Sequence, residues 1–124
     1  MKEFFIIIIS LLLVIVPNII FKNYLEKSGD ELINILEEMD SDLENKIFDE
    51  KKLDELKESF LEKEGKWILI VDHDILDEIE NGVEECLAFY DAEDKMEFNS
   101  SFGKLKNYIE DLTRREEFSV RNIL

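Results

Sequence analysis

The sequence predicts an all-α chain: an N-terminal transmembrane helix followed by an antiparallel three- to four-helix bundle or an elongated helical hairpin. An uncharged apolar run from Phe4 to Phe21 supplies the first part. Apolar residues spaced three and four apart through the remainder supply the second. No proline follows Pro17, so long helices are permitted throughout, and the glycines at 29, 65, 82 and 103 are the strong breakers that remain.

The run FFIIIISLLLVIVPNIIF is interrupted only by Ser10 and Asn18. At the helical rise it extends about 27 Å, close to the ~30 Å hydrocarbon core of a bilayer. Residues 1–24 therefore read as a membrane anchor, with Phe4, Ile9, Leu13 and Phe21 marking the span, and residues 25–124 as an acidic soluble helical domain. A cleaved signal peptide is the competing reading, because Lys2 forms a minimal basic region ahead of the apolar stretch. The segment beyond, VPNIIFKNYLEKS, lacks the small-residue pair that a signal peptidase needs, which favours an uncleaved signal anchor. Lys2 and the terminal amine balance Lys22 and Lys27, so flanking charge does not fix the orientation. A short N-terminal tail that stays inside gives the expected location: a single pass through the cell membrane, with the soluble domain extracytoplasmic.

The chain carries 15 basic and 31 acidic residues, a net charge of −16, and almost all of the charge lies beyond the apolar run. Such a surface repels phosphate backbones and anionic headgroups, which excludes nucleic acid as a partner. The lone Cys86 makes no internal disulfide and is expected to fill space on a helix face.

After the span, Leu32, Leu36, Met39, Leu43 and Ile47 form one stripe. Ser28 with Glu31 matches the capping-box pattern, so this helix either starts afresh there or continues from the membrane segment. A second stripe runs Leu53, Leu56, Phe60, then Trp67, Val71, Ile75, Ile79, Val83, Leu87 and Tyr90. It is either one long helix or two joined near Gly65. The third, Phe98, Phe102, Leu105, Ile109 and Leu112, is a heptad seam opening near the candidate N-cap Asp94. A straight middle helix gives an elongated arrangement, whereas a break at Gly65 folds the same pieces into a compact four-helix bundle.

The stretch WILIVDHD from Trp67 to Asp74 is similar to the first strand and acidic cluster of a receiver domain in two-component signalling. That domain needs about 100 residues and further parallel strands, and the chain ends too soon with helical spacing throughout. Five consecutive apolar residues then read as a helix covered on most sides.

The same stretch holds His73, which on a helix shares a face with Asp77, beside Asp74 and Glu78. Imidazole and carboxylate suit Zn or Mn, so His73 and Asp77 are the candidate metal ligands, but two ligands do not make a site. The Glu-x-x-His signature of di-iron bundles fails, because Ile70 precedes His73 by three. Asp40, Asp42 and Glu44 imitate the opening of a calcium loop, yet Asn45 stands where glycine is required and Lys51 where glutamate is. His73 and Cys86 are about 20 Å apart along a continuous helix, too far to form a nucleophile pair. No phosphate-binding loop and no nucleophile elbow is present, so neither an enzyme nor a bound cofactor is expected.

The central Trp67, the VDHDILDEI stretch around His73 and the closing sequence EEFSVRNIL, taken with the N-terminal span, resemble the bacterial domain-of-unknown-function family 4363. The resemblance covers nearly the whole chain; its most specific pieces are the Trp67–His73–Ile79 spacing and the tail from Glu117 to Leu124. It implies a small single-span membrane protein of Gram-positive anaerobes and their relatives, without an established activity. In the tail, Phe118, Val120, Ile123 and Leu124 concentrate apolar side chains at a terminus that is ordinarily polar. They either plug the end of the bundle or insert into a groove on a partner.

The expected function is that of a non-enzymatic interaction or accessory protein at the membrane surface. Its partners are the lipid bilayer, through the N-terminal helix, and another membrane protein. A homo-oligomer is open, since the heptad seams define no contact surface. The alternative is a ligand- or metal-sensing bundle that uses His73 and nearby carboxylates.

Overall fold

Residues 25–44 of a first long helix pack with three shorter ones in up-down-up-down order, each helix against the next in the chain and the last against the first. The computed structural model describes the backbone of residues 1–123 and the side chains of residues 1–112. The helices are α1 (Lys2–Glu44), α2 (Glu50–Trp67), α3 (His73–Asp91) and α4 (Lys95–Ile123), with no strand among the described residues.

α1 runs without interruption from the apolar segment into the bundle, so the Ser28–Glu31 pattern does not begin a new helix. Ser28 instead turns its hydroxyl back to the carbonyl of Tyr24 (2.6 Å) and accepts the indole N–H of Trp67 on α2 (2.9 Å). Pro17 lies inside α1. It lacks an N–H, so one carbonyl of the preceding turn loses its helical donor. Nearby, the Asn18 side-chain amide donates to the Val14 carbonyl (2.8 Å), which occupies a polar group that the surrounding apolar residues could not. Burial begins at Leu25, and Leu32, Leu36, Met39 and Leu43 face the core as the stripe predicts. Ile47 is exposed, because the helix ends at Glu44 and Lys46 reverses the chain with a φ of 57°.

The second stripe is divided, but not at Gly65. That glycine lies within α2 with open space around it, and the chain breaks three residues later, over 68–72. The Val71 N–H bonds to the Trp67 carbonyl at 2.7 Å, so these two residues keep helical spacing and both stay buried. The intervening Ile68 and Leu69 are pushed outward into solvent. The expectation of a covered helix across WILIV is thus corrected: it is a tight turn with an exposed apolar tip. α3 restarts at His73, and its buried face is Leu76, Ile79, Val83, Cys86 and Tyr90, with Ile75 and Leu87 flanking it.

α4 follows its predicted seam without departure: Phe98, Phe102, Leu105, Ile109 and Leu112 are all buried, and the Asp94 carboxylate accepts the Glu97 N–H (3.2 Å) as an N-cap. At the end remote from the apolar segment, Tyr90 ties three pieces together. Its hydroxyl accepts the Asp49 N–H (2.9 Å) and has Asp42 Oδ2 within 3.3 Å, while its ring lies 5.3 Å from that of Phe48.

Close approach of α1 and α4 depends on Gly29, where an added Cβ would sit 2.8 Å from Ile109 Cγ2. That methyl is β-branched and stiff, so it yields only if the helices separate. Gly29→Ala should gain about 1 kcal/mol in helix propensity and lose about 1–3 kcal/mol to overpacking, for a net loss. Ile109→Ala removes the clashing methyl. Thermal melts of both single variants and the double variant are expected to show coupling above about 0.5 kcal/mol, with the double variant more stable than the sum of the singles.

Lys63 is buried between α2 and α1, where its ammonium contacts Glu31 at 2.9 Å and the Ser59 hydroxyl at 2.9 Å. The hydrogen bond and charge of Lys63 hold the Glu31 carboxyl below its ordinary range. Its stabilising contribution is therefore present above the ordinary carboxylate value and is lost as pH falls through the lowered one. Glu31 is half exposed, so Glu31→Ala should cost only about 1 kcal/mol, while Lys63→Met, which replaces the charge by apolar volume, should be neutral or stabilising. Denaturant melts at neutral pH measure both.

Candidate interaction surfaces

The apolar run of α1 projects away from the core. Across an 18-residue window its mean hydropathy is 3.0 and none of it is buried by the rest of the fold. Phe4, Ile9, Leu13 and Phe21 are all exposed on it. By length and composition α1 is long and apolar enough to cross a membrane, a property that a signal sequence shares.

His73 opens α3 at its exposed N-terminal end, and Asp77 lies one turn on, also exposed. The structure does not build a metal centre around them: no group of three or more His, Cys, Asp or Glu side chains suited to a metal ion occurs among the described residues. The Asp77 charge faces α2 instead. Burial, then the charges of Glu80, Asp77 and Glu84, push the Glu64 carboxyl above its ordinary range. Asp74 and Glu78 line a cavity of about 220 Å³ between α3 and α4 together with Ile75, Tyr108, Asp111 and Leu112, and His73 is not among the lining residues. The calcium-loop imitation is likewise occupied by structural contacts, since Asp42 faces Tyr90, Asp40 accepts from Asn99 at 3.3 Å and Glu44 pairs with Lys95 at 3.6 Å. A second groove, of about 230 Å³, lies between α1 and α4 around Gly29 and is rimmed by Glu26, Asp30 and Glu110.

Cys86 is fully buried, and burial followed by the charge of Glu85 pushes its thiol up to about 12. A thiol so placed carries almost no thiolate at neutral pH. Maleimide or iodoacetamide should therefore leave the folded chain unmodified at pH 7 and label it stoichiometrically once it is denatured, as intact mass will show.

A family model described as a domain of unknown function, DUF4363, matches residues 19–123. The chain belongs to this family. No curated protein and no solved structure matches it. The DUF4363 match contains the whole described bundle together with the last three residues of the apolar run, Ile19, Ile20 and Phe21, so the continuity of α1 from that run into the bundle lies inside the family's own boundaries. The tail residues Phe118, Val120, Ile123 and Leu124 lie outside the residues whose side chains are described.

Two features escaped the sequence reading. Lys63 occupies the seam position between Phe60 and Trp67, and the four-three-four spacing of Leu56, Phe60, Lys63 and Trp67 was the signal that marked it as buried. The Trp67–Ser28 hydrogen bond joins residues 39 apart and has no local signature.

Proposed function

We propose that this DUF4363 chain is a single-pass, membrane-anchored accessory protein. Its acidic bundle sits at the extracytoplasmic face of the bilayer and acts by contact with another membrane protein rather than by catalysis. The observation that carries this reading is the 18-residue apolar window of α1, none of which is buried by the bundle. At about 25 cal/mol per Å², so large an apolar surface is strongly driven out of water. α1 is one continuous helix, so a bundle built on it is coupled to the anchor without a flexible linker.

Photocrosslinking from exposed bundle positions in native membranes tests the contact role. The reading expects a discrete adduct with an integral membrane protein, formed from one face of the bundle and lost when that face is altered. Uniform or absent crosslinking from every face would contradict it. Metal analysis of protein purified without chelator tests the sensing alternative: stoichiometric Zn, Mn or Fe that disappears in His73→Ala would favour that alternative.

A further inference from the structure

We infer that the turn between α2 and α3, with Ile68 and Leu69 at its tip, is a second point of contact with the lipid bilayer and inserts into the headgroup region beside α1. This rests on the proposal that α1 is the membrane anchor.

The contacts between α1 and α2 place the turn at the membrane-facing end of the bundle. α2 descends along α1 in steady register: Lys52 pairs with Glu38, Lys63 with Glu31, and Trp67 bonds to Ser28 at 2.9 Å. The Lys66 ammonium lies 5.4 Å above the ring of Tyr24. The next residues, 68–70, therefore stand level with Tyr24 and Leu25, about one helical turn, or ~5 Å, from Phe21 at the end of the apolar run. The headgroup region of a bilayer is about 5–7 Å deep on each side, so an apolar tip at this height meets the acyl boundary.

The chemistry of the tip fits that position. Leu69 is 86% exposed and Ile68 50%, and the turn from Ile68 to Val71 carries no charge. Among the described residues beyond Phe21, Leu69 is the most exposed large hydrophobic. Tyr24 and Lys66 supply the aromatic and basic pair that favours an interface. The opposite end of the bundle also exposes apolar side chains, Ile47 and Met96, but it is about 34 Å from Phe21 along α1 and out of reach of the same lipid surface. Asp72 and Asp74 adjoin the turn, so the fitting surface is zwitterionic rather than anionic.

The test uses the full chain in vesicles of phosphatidylcholine alone, with a polarity-sensitive fluorophore attached at one introduced cysteine: Leu69→Cys, Leu13→Cys or Met96→Cys. Cys86 is buried and stays unlabelled. Quenching by spin-labelled lipid is compared with quenching by aqueous iodide. The inference expects the label at 69 to be quenched by shallow spin-labelled lipid several-fold more than the label at 96, and shielded from iodide. A label at 69 as open to iodide as that at 96, with the label at 13 buried in lipid, would overturn the turn contact and leave the anchor intact. A label at 13 open to iodide would overturn both. Shielding of position 69 in native membranes but not in lipid vesicles would assign the turn to a protein partner and overturn the inference.

Discussion

Trp67→Ala is expected to be the most damaging single substitution in the bundle, lowering stability by about 3–5 kcal/mol. The indole is fully buried, and its N–H bond to Ser28 pins the end of α2 to α1 where α1 leaves the apolar run. A domain of this size has about 5–15 kcal/mol in total, so the loss should lower the thermal midpoint by roughly 15–30 °C. Two milder variants separate packing from hydrogen bonding. Trp67→Phe keeps most of the ring volume and leaves Ser28 bonded to the Tyr24 carbonyl, for a loss of about 1–2 kcal/mol. Ser28→Ala leaves the buried indole N–H without an acceptor, which costs about 1–3 kcal/mol despite removing a single oxygen. Circular dichroism melts of the full chain in detergent should rank them in that way. If Trp67→Ala proved as mild as a surface substitution, the role assigned to this junction would be wrong.

The second large effect is on location rather than stability. Paired Ile9→Arg and Leu13→Arg substitutions place two like charges, which cannot pair with each other, near the middle of the apolar run, each costing about 2.5–3.5 kcal/mol at the centre of a bilayer. The chain is expected to leave the membrane fraction while its bundle melts at the same temperature, because both residues are exposed and make no core contact. Trp67→Ala should do the reverse, lowering the melting temperature of the bundle without releasing the anchor. Fractionation and melting measured on both variants therefore test two independent halves of the account.

Legibility varied along the chain for identifiable reasons. α4 was readable because its seam is strictly heptad and its cap, Asp94, is of an ordinary type. The breaks were not. All four glycines lie inside helices, two of them, Gly29 and Gly82, where a neighbouring helix packs close. The turns at the remote end reverse through Lys46 and Glu93, whose positive φ angles are ordinarily given to glycine or asparagine. The α2–α3 turn was hidden because Trp67 and Val71 keep a one-turn spacing across it, which imitates a continuing helix. Among the candidate surfaces, the Phe4–Phe21 run was plain from composition alone. The exposed tip at Ile68 and Leu69 was not, since a run of apolar residues says only that some environment is apolar. Which environment follows from the register of α2 on α1, a long-range property.

The central claim, that an uncleaved apolar helix holds this acidic bundle at a bilayer, is tested most directly by washing cell membranes at alkaline pH and measuring the intact mass of the chain that remains. A product with the apolar run Phe4–Phe21 still attached is expected, retained in the washed pellet. A soluble product lacking roughly the first 20 residues, or the complete chain in the supernatant, would contradict it.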